Sequence, residues 1–374
     1  MCDPEDRFKL CAQRKTFLAE GGHQLVLGGP GSGKTTIGLL KARRTVLAGL
    51  KHGQSVLFLS FSNAATKRIM SGAADLIEAE VEQHLEIKTY HSLAWEILRA
   101  HGYLLSGKRL LTIVPSQDAD ILKAGLSNDE WAAEQERLFQ DEGQVTYDQF
   151  APRAAEIIRR SPQLRDLYAD SYPLILVDEF QDTDEDQWGL LRSLAEKSEV
   201  IALGDEGQRI YDWRPGVSPY RLDQYKEELA PGVFDFGTEN NRSPTTDISN
   251  FGRALLDPEE ELPWGDDVKK LTYPRQFLSV AIKSGARMAL GNARDRSGNT
   301  NISIAVAARG KLLVRLISDA LDNVHNWRGK VLGSIPHDVL IDQTQVMLAA
   351  RVTAFLLEAP TMSPQDGLAH ALIR

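Results

Sequence analysis

Over the first 240 residues, hydrophobic positions fall into short unbroken runs, each followed by polar or glycine-rich sequence. Gln24-Leu25-Val26-Leu27 leads into a glycine loop, and Ser55-Val56-Leu57-Phe58-Leu59 into Ser60-Phe61-Ser62-Asn63. Leu174-Ile175-Leu176-Val177 leads into Asp178-Glu179, and Val200-Ile201-Ala202-Leu203 into Gly204-Asp205. Runs of this length without alternation predict strands buried on both faces. Between them the spacing predicts helices over 35–50 and 64–82. Strands alternating with helices predict an α/β fold with a parallel sheet covered on both sides.

The pattern changes between about 93 and 170. That stretch is polar and helix-rich, is punctuated by Pro115, Pro152 and Pro162, and reads as an insert into the sheet domain. The expected organisation is a first domain in two parts, 1–92 and 171–236, an insert over 93–170, and a further unit over 237–374. In the last unit, Ile302, Ile304 and Val306 alternate as a strand, and Leu312, Leu313, Leu316, Ile317 and Leu321 share a helical face. An acidic loop is expected at 257–261 and a helix from about 343 to 357.

The strand ends carry the chemistry. Gly28-Gly29-Pro30-Gly31-Ser32-Gly33-Lys34-Thr35 is a complete phosphate-binding loop between an apolar strand and a helix. Small residues let backbone N–H groups curl around phosphate oxygens, and the helix start adds its positive dipole end. Lys34 is then expected to reach the β- and γ-phosphates, and the Thr35 hydroxyl to bind Mg²⁺. Asp178 is the expected magnesium carboxylate, direct or through water, and Glu179 the group that orients and deprotonates the attacking water. A competing reading, that acidic residues merely favour the next helix start, suits Thr183-Asp184-Glu185-Asp186 better. In Gly204-Asp205-Glu206-Gly207-Gln208-Arg209-Ile210-Tyr211-Asp212-Trp213-Arg214, Gln208 can sense a γ-phosphate and Trp213 offers a flat face to a base, although ordinary packing would also account for a lone Trp.

Composition narrows the setting. The chain has 374 residues, a formal net charge of −9 and two cysteines, Cys2 and Cys11. Two thiols near one end make neither a disulfide framework nor a zinc site, and no apolar stretch is long enough to span a bilayer. A cytoplasmic protein is expected, with no membrane partner. The acidic balance argues against a general nucleic-acid binder, but not against a motor gripping a single strand in a narrow groove.

These motifs, in this order over about residues 8–250, resemble the UvrD/Rep/PcrA group of superfamily 1 DNA helicases. The resemblance implies a RecA-like P-loop NTPase sheet with a helical accessory insert, followed by a partial second RecA-like domain. It implies ATP and Mg²⁺ as cofactors, single-stranded or tailed DNA as partner, and 3′-to-5′ movement. Gln13 stands where the family reads adenine. Ser60-Phe61-Ser62-Asn63-Ala64-Ala65 resembles its TFTNKAA segment, with Phe61 against a DNA base. Thr89-Tyr90-His91-Ser92 resembles its TFHS segment, which touches the DNA backbone, although a core or capping role is the competing reading of His91. Asp178 to Thr183 and Gly204 to Arg214, including Tyr211 and Arg214, match its second and third motifs. Asn240-Asn241-Arg242-Ser243 resembles NYRS, whose arginine reaches the γ-phosphate.

The departures are specific. Asn241 replaces a tyrosine and Thr36 an arginine, and both of those stack on adenine in the family. The family's last two motifs, one coupling DNA to ATP and one supplying a second arginine, are not found between 250 and 374. The expectation is a motor incomplete as this chain: a truncated longer gene product, a split gene whose other half comes from a second protein chain, or a decayed gene would all give this sequence. Two other classes remain: an ATP-binding accessory subunit of a repair or defence complex that hydrolyses weakly or not at all, and a P-loop kinase or GTPase for a small molecule. The latter leaves Phe61, Trp213 and Thr89 to Ser92 without a purpose.

Overall fold

The computed structural model of the chain describes residues 8, 10–209, 216–237, 241, 250–251, 268–298, 302–308, 310–327 and 329–339. The chain divides into two compact units, Met1–Val268 and Lys269–Arg374.

The first unit is built on strands β1 (Gln24–Leu27), β2 (Val56–Ser60) and β3 (Leu85–Thr89), a two-residue pair β4 (Thr112–Ile113) and β5 (Gln144–Val145), and then β6 (Leu174–Val177), β7 (Glu199–Gly204) and β8 (Gly232–Asp235). Six of these form one sheet in the order β3-β2-β6-β7-β1-β8, with every pairing parallel. β4 and β5 pair with each other alone. The four strands read from apolar runs are the four inner strands. Their side chains alternate between two cores: Leu57, Leu59, Ile175 and Val177 point to one side, and Val56, Phe58, Leu174 and Leu176 to the other.

Each core is roofed by helices. The helix Lys34–Ala48 lies on the second side, and Gly38 lets it approach closely: a Cβ there would stand 3.0 Å from Leu203 Cδ1 and 3.2 Å from Leu176 Cδ2. The first side is covered by the helices Tyr90–His101, Phe150–Arg160 and Glu185–Ala195. Leu93, Ile97, Ile157 and Ile158 therefore share a core with Val177 and Leu191, so both ends of the stretch 93–170 are anchored in the sheet domain. The expected helix over 64–82 forms as two pieces, Asn63–Leu76 and Ala79–Glu82, because Ile77 turns inward in an extended conformation.

The second unit contains the helices Leu278–Ser297 and Lys311–Asp322 and a hairpin of β9 (His325–Trp327) with β10 (Lys330–Leu332). Phe277 packs edge-on against Trp327 at 4.7 Å. The strand expected at Ile302, Ile304 and Val306 does not form; residues 302–308 carry no regular structure. Alternation alone makes a strand only where another backbone completes its hydrogen bonds, and no described residue does so here. The expected helical face does form a helix, but only Leu321 among its five leucine and isoleucine positions is buried. The acidic loop at 257–261 and the helix expected over 343–357 lie outside the described residues.

Candidate functional site

The glycine loop leaves β1 and enters the helix at Lys34 with Gly31 at φ 76° and Gly33 at φ 90°, a left-handed backbone that glycine adopts without strain. A Cβ on Gly28 would lie 2.6 Å from Ser32 Oγ and 3.3 Å from Phe236 Cβ, so a side chain there would make its neighbours shift. The loop holds its lysine inward: Lys34 Nζ donates to the carbonyls of Gly28 at 2.6 Å and Gly29 at 3.2 Å, and stands 3.9 Å from Asp205 Oδ2. One position on, the Thr35 hydroxyl donates to Asp178 Oδ2 at 3.1 Å.

Asp178 follows β6, where its N–H donates to the Leu59 carbonyl at 3.0 Å. Burial, then the neighbouring Glu179 charge, push its carboxyl up to about 6, against the pull of Thr35 and Lys34. Glu179 is one of two non-glycine residues with positive φ among those described, at φ 52° and ψ 43°. Its carboxylate accepts from Gln181 Nε2 at 2.9 Å, and Gln181 Oε1 accepts from the Asp205 N–H at 3.1 Å. Asp205 is also raised by burial, and its Oδ2 is buried with no hydrogen-bond partner. Gln208 is half-buried on the following turn, its N–H donating to the Asp205 carbonyl at 3.3 Å.

Gln13 is exposed on the helix Ala12–Ala19, and Thr36 is half-buried in the first turn after the loop. Arg14, to which sequence reasoning gave no role, donates from Nη2 to the Ser32 carbonyl at 3.0 Å and lies 4.8 Å over the Phe236 ring. The Asn241 N–H donates to the Gly31 carbonyl at 2.9 Å, which sets residue 241 beside the loop despite the lost tyrosine.

On the expected DNA face, Phe61 is half-buried and edge-on to Tyr90 at 5.8 Å, and Asn63 is exposed in the first turn of its helix. Tyr90 belongs elsewhere. It is 1% exposed, with its hydroxyl 3.4 Å from Thr183 Oγ1, so it props the end of the Asp178–Thr183 segment and has no surface to offer DNA. Thr89 is buried as well and caps the helix Tyr90–His101, its Oγ1 accepting from the Ser92 N–H at 3.1 Å. His91 is half-buried beside Phe150 and Tyr147, at 6.3 and 6.4 Å. Tyr211, Trp213, Arg214 and Arg242 lie outside the described residues.

The raised carboxyl of Asp178 has a measurable consequence. A folded-state value above the ordinary 3.8 means that the fold favours the protonated form. The associated stability is therefore full below about pH 4 and is lost as pH rises through about 6. In metal-free buffer, Asp178→Asn is expected to be more stable than the parent by on the order of 2 kcal/mol at pH 8, with the gap closing near pH 4. Urea unfolding of both proteins across that range checks it. A variant less stable at pH 8 would show that Thr35 and Lys34 outweigh the burial.

A family model described as the UvrD/REP helicase N-terminal domain matches residues 11–142 and 126–227, more than half of the 374. The chain belongs to this family. DNA helicase II of Salmonella typhimurium is 26% identical over 290 residues, covering 66% of this chain and 40% of that protein. ATP-dependent DNA helicase PcrA of Leuconostoc citreum is 22% identical over 313 residues, covering 70% and 42%. The chain thus spans about 40% of the length of these relatives. Among solved structures, the Pif1 helicase from Candida albicans aligns at 12% identity with a TM-score of 0.38 over 76% of this chain and 55% of that one, too loose a superposition to decide anything. Membership makes the parallel sheet RecA-like.

Proposed function

We propose that this chain is the ATP-binding, DNA-engaging part of a UvrD-type DNA helicase motor, and that by itself it hydrolyses ATP slowly. The observation that carries this reading is the convergence of Lys34 and Thr35, which follow β1, with Asp178 and Glu179, which follow β6, at the ends of two strands that flank β7. Such a grouping serves phosphoryl transfer to water. Lys34 would exchange the Gly28 and Gly29 carbonyls for β- and γ-phosphate oxygens, and Glu179 would take the proton of the attacking water. Gln208 would read the γ-phosphate, and Gln13 and residue 241 would border the adenine.

A hydroxyl and a buried carboxylate within hydrogen-bond distance fit magnesium, which keeps several waters and takes few protein ligands. Thr35 and Asp178 would hold it. When bound, the ion would offset the negative charge of the phosphates. The partner would be single-stranded or tailed DNA, met by Phe61, Asn63, His91 and the segment containing Tyr211, Trp213 and Arg214, with Arg242 reaching the γ-phosphate. Movement would be 3′ to 5′, as the family resemblance implies. Slow turnover is part of the same proposal, because Arg242 alone is matched to such an arginine and each is worth about 10³–10⁵ in rate. Among the described residues no helix is long and apolar enough to cross a membrane. A cytoplasmic setting is part of the same proposal.

ATP turnover by the 374-residue chain with and without single-stranded DNA tests the reading. DNA is expected to raise the rate. Lys34→Ala is expected to weaken ATP binding by at least about 100-fold, because charge-assisted contacts to two phosphates are lost together. ATP affinity untouched by Lys34→Ala would sink the site assignment. Efficient strand separation by the chain alone would sink the proposed slowness.

A further inference from the structure

Gln181 is a polar side chain at 1% exposure, and it spends both ends of its amide between two neighbouring strands. Its Nε2 donates to Glu179 Oε2 at 2.9 Å and its Oε1 accepts from the Asp205 N–H at 3.1 Å. A carboxamide of this length donates to a carboxylate and accepts from an N–H at once. Glutamate there would accept from Asp205 but repel Glu179, and methionine would fill the space and bond to neither. Gly204 lies beside Gln181: a Cβ on Gly204 would stand at ordinary contact distance, 3.4 Å, from Gln181 Oε1.

What lies beyond each end matters. Glu179 sits in a left-handed backbone, and its carboxylate accepts the Gln181 amide. Asp205 opens a tight turn in which its Oδ1 accepts from the Gly207 N–H at 2.9 Å and its carbonyl from the Gln208 N–H at 3.3 Å. Any shift of the 204–208 turn therefore reaches Glu179 through one amide.

We propose that Gln181 is a positioning residue that ties the Glu179 carboxylate to the 204–208 turn, so that the base is aimed only when the turn is in place. This rests on the reading of Glu179 as the base for water. The turn carries Gln208, so the same amide would relay phosphate contact to the base. Misaiming a reacting group by about 1 Å costs on the order of 100-fold in rate without weakening substrate binding.

The test compares the full chain with Gln181→Met, Gln181→Glu, Glu179→Gln and the Glu179→Gln/Gln181→Met double variant. Gln181→Met is expected to lower kcat by about 30- to 100-fold with the KM for ATP within about threefold. The double variant is expected to be no slower than Glu179→Gln, since a residue acting through Glu179 has nothing left to aim. Gln181→Glu keeps the bond to Asp205 and loses the donor to Glu179; its kcat should fall similarly, which covers the case in which Gln181→Met folds poorly. A kcat within about threefold of the parent for either variant, or losses that multiply in the double variant, overturns the proposal.

Hydrogen exchange separates this failure from failure of the ATPase reading. In nucleotide-free protein, Gln181→Met should speed exchange of the Asp205 N–H by about tenfold, because its acceptor is gone. Mg–ATPγS should slow exchange over 204–208 in the parent and do so much less in Gln181→Met. A parent without turnover would count against the ATPase reading, and these exchange rates would still decide the bridge. Unchanged Asp205 exchange in Gln181→Met overturns it.

Discussion

Glu179→Gln is expected to lower DNA-stimulated ATP turnover by about 10²–10⁴-fold, the usual worth of a positioned general base. The substitution keeps size and shape and leaves an oxygen to accept from Gln181 Nε2. It removes the proton acceptor and the negative charge that helps to raise Asp178 and Asp205. The residue's backbone at φ 52° costs roughly 1–3 kcal/mol for a side chain of this kind, a cost the surroundings meet by burying Phe180 and Gln181 on its C-terminal side. Because Gln meets the same constraint, the fold should survive. ATP affinity should stay within about threefold, since uniform binding is made by the loop and not by this group. Steady-state turnover beside binding of a fluorescent ATP analogue checks both halves. A loss of affinity matching the loss of rate would mean that Glu179 acts on ground-state charge, and the assignment of the base would have to move to another carboxylate.

The sequence declared the parts of this site that lie along one stretch of chain, and concealed the parts made by two. The inner strands were legible because burial on both faces demands unbroken apolar runs. The outer strands β3 and β8 were not, because edges keep polar or exposed positions. Lys88 in β3 pairs with Glu86 and Glu96, and Val233 in β8 is half exposed. The phosphate loop could be read because its geometry is set by its own glycines. Gln181 stood in plain view inside a recognised motif, yet its partner Asp205 is 24 residues away, and only the parallel pairing of β6 with β7 brings them together. Tyr90 misled for a related reason. A tyrosine in a segment expected to touch DNA suggests a surface, whereas here the helix turns it inward against Thr183. Arg14 carried no local signal, since its meaning lies in a carbonyl 18 residues on.

Phe180→Ala is the stability change expected to be largest near the site, and it should damage activity beyond what unfolding explains. Phe180 is fully buried, edge-on to Tyr225 at 4.9 Å and to Trp188 at 5.6 Å. Both neighbours are fixed independently: the Tyr225 hydroxyl donates to the Val200 carbonyl at 2.7 Å, and Trp188 is packed in the core of the helix Glu185–Ala195. With rigid walls the cavity cannot collapse, so the cost should sit at the upper end for such truncations, about 3–5 kcal/mol. For a unit of this size that is roughly 6–20 °C in Tm. Phe180→Leu, which fills most of the space, should recover more than half of it. The ring also stands between Glu179 and Gln181 in the chain, so its removal frees the turn that aims the base. Assayed well below its Tm, Phe180→Ala should still lose about tenfold or more in kcat with ATP affinity nearly intact. A variant that melts early but turns over normally in the cold would confine Phe180 to the core, and would show that Gln181 alone is enough to hold Glu179 in place.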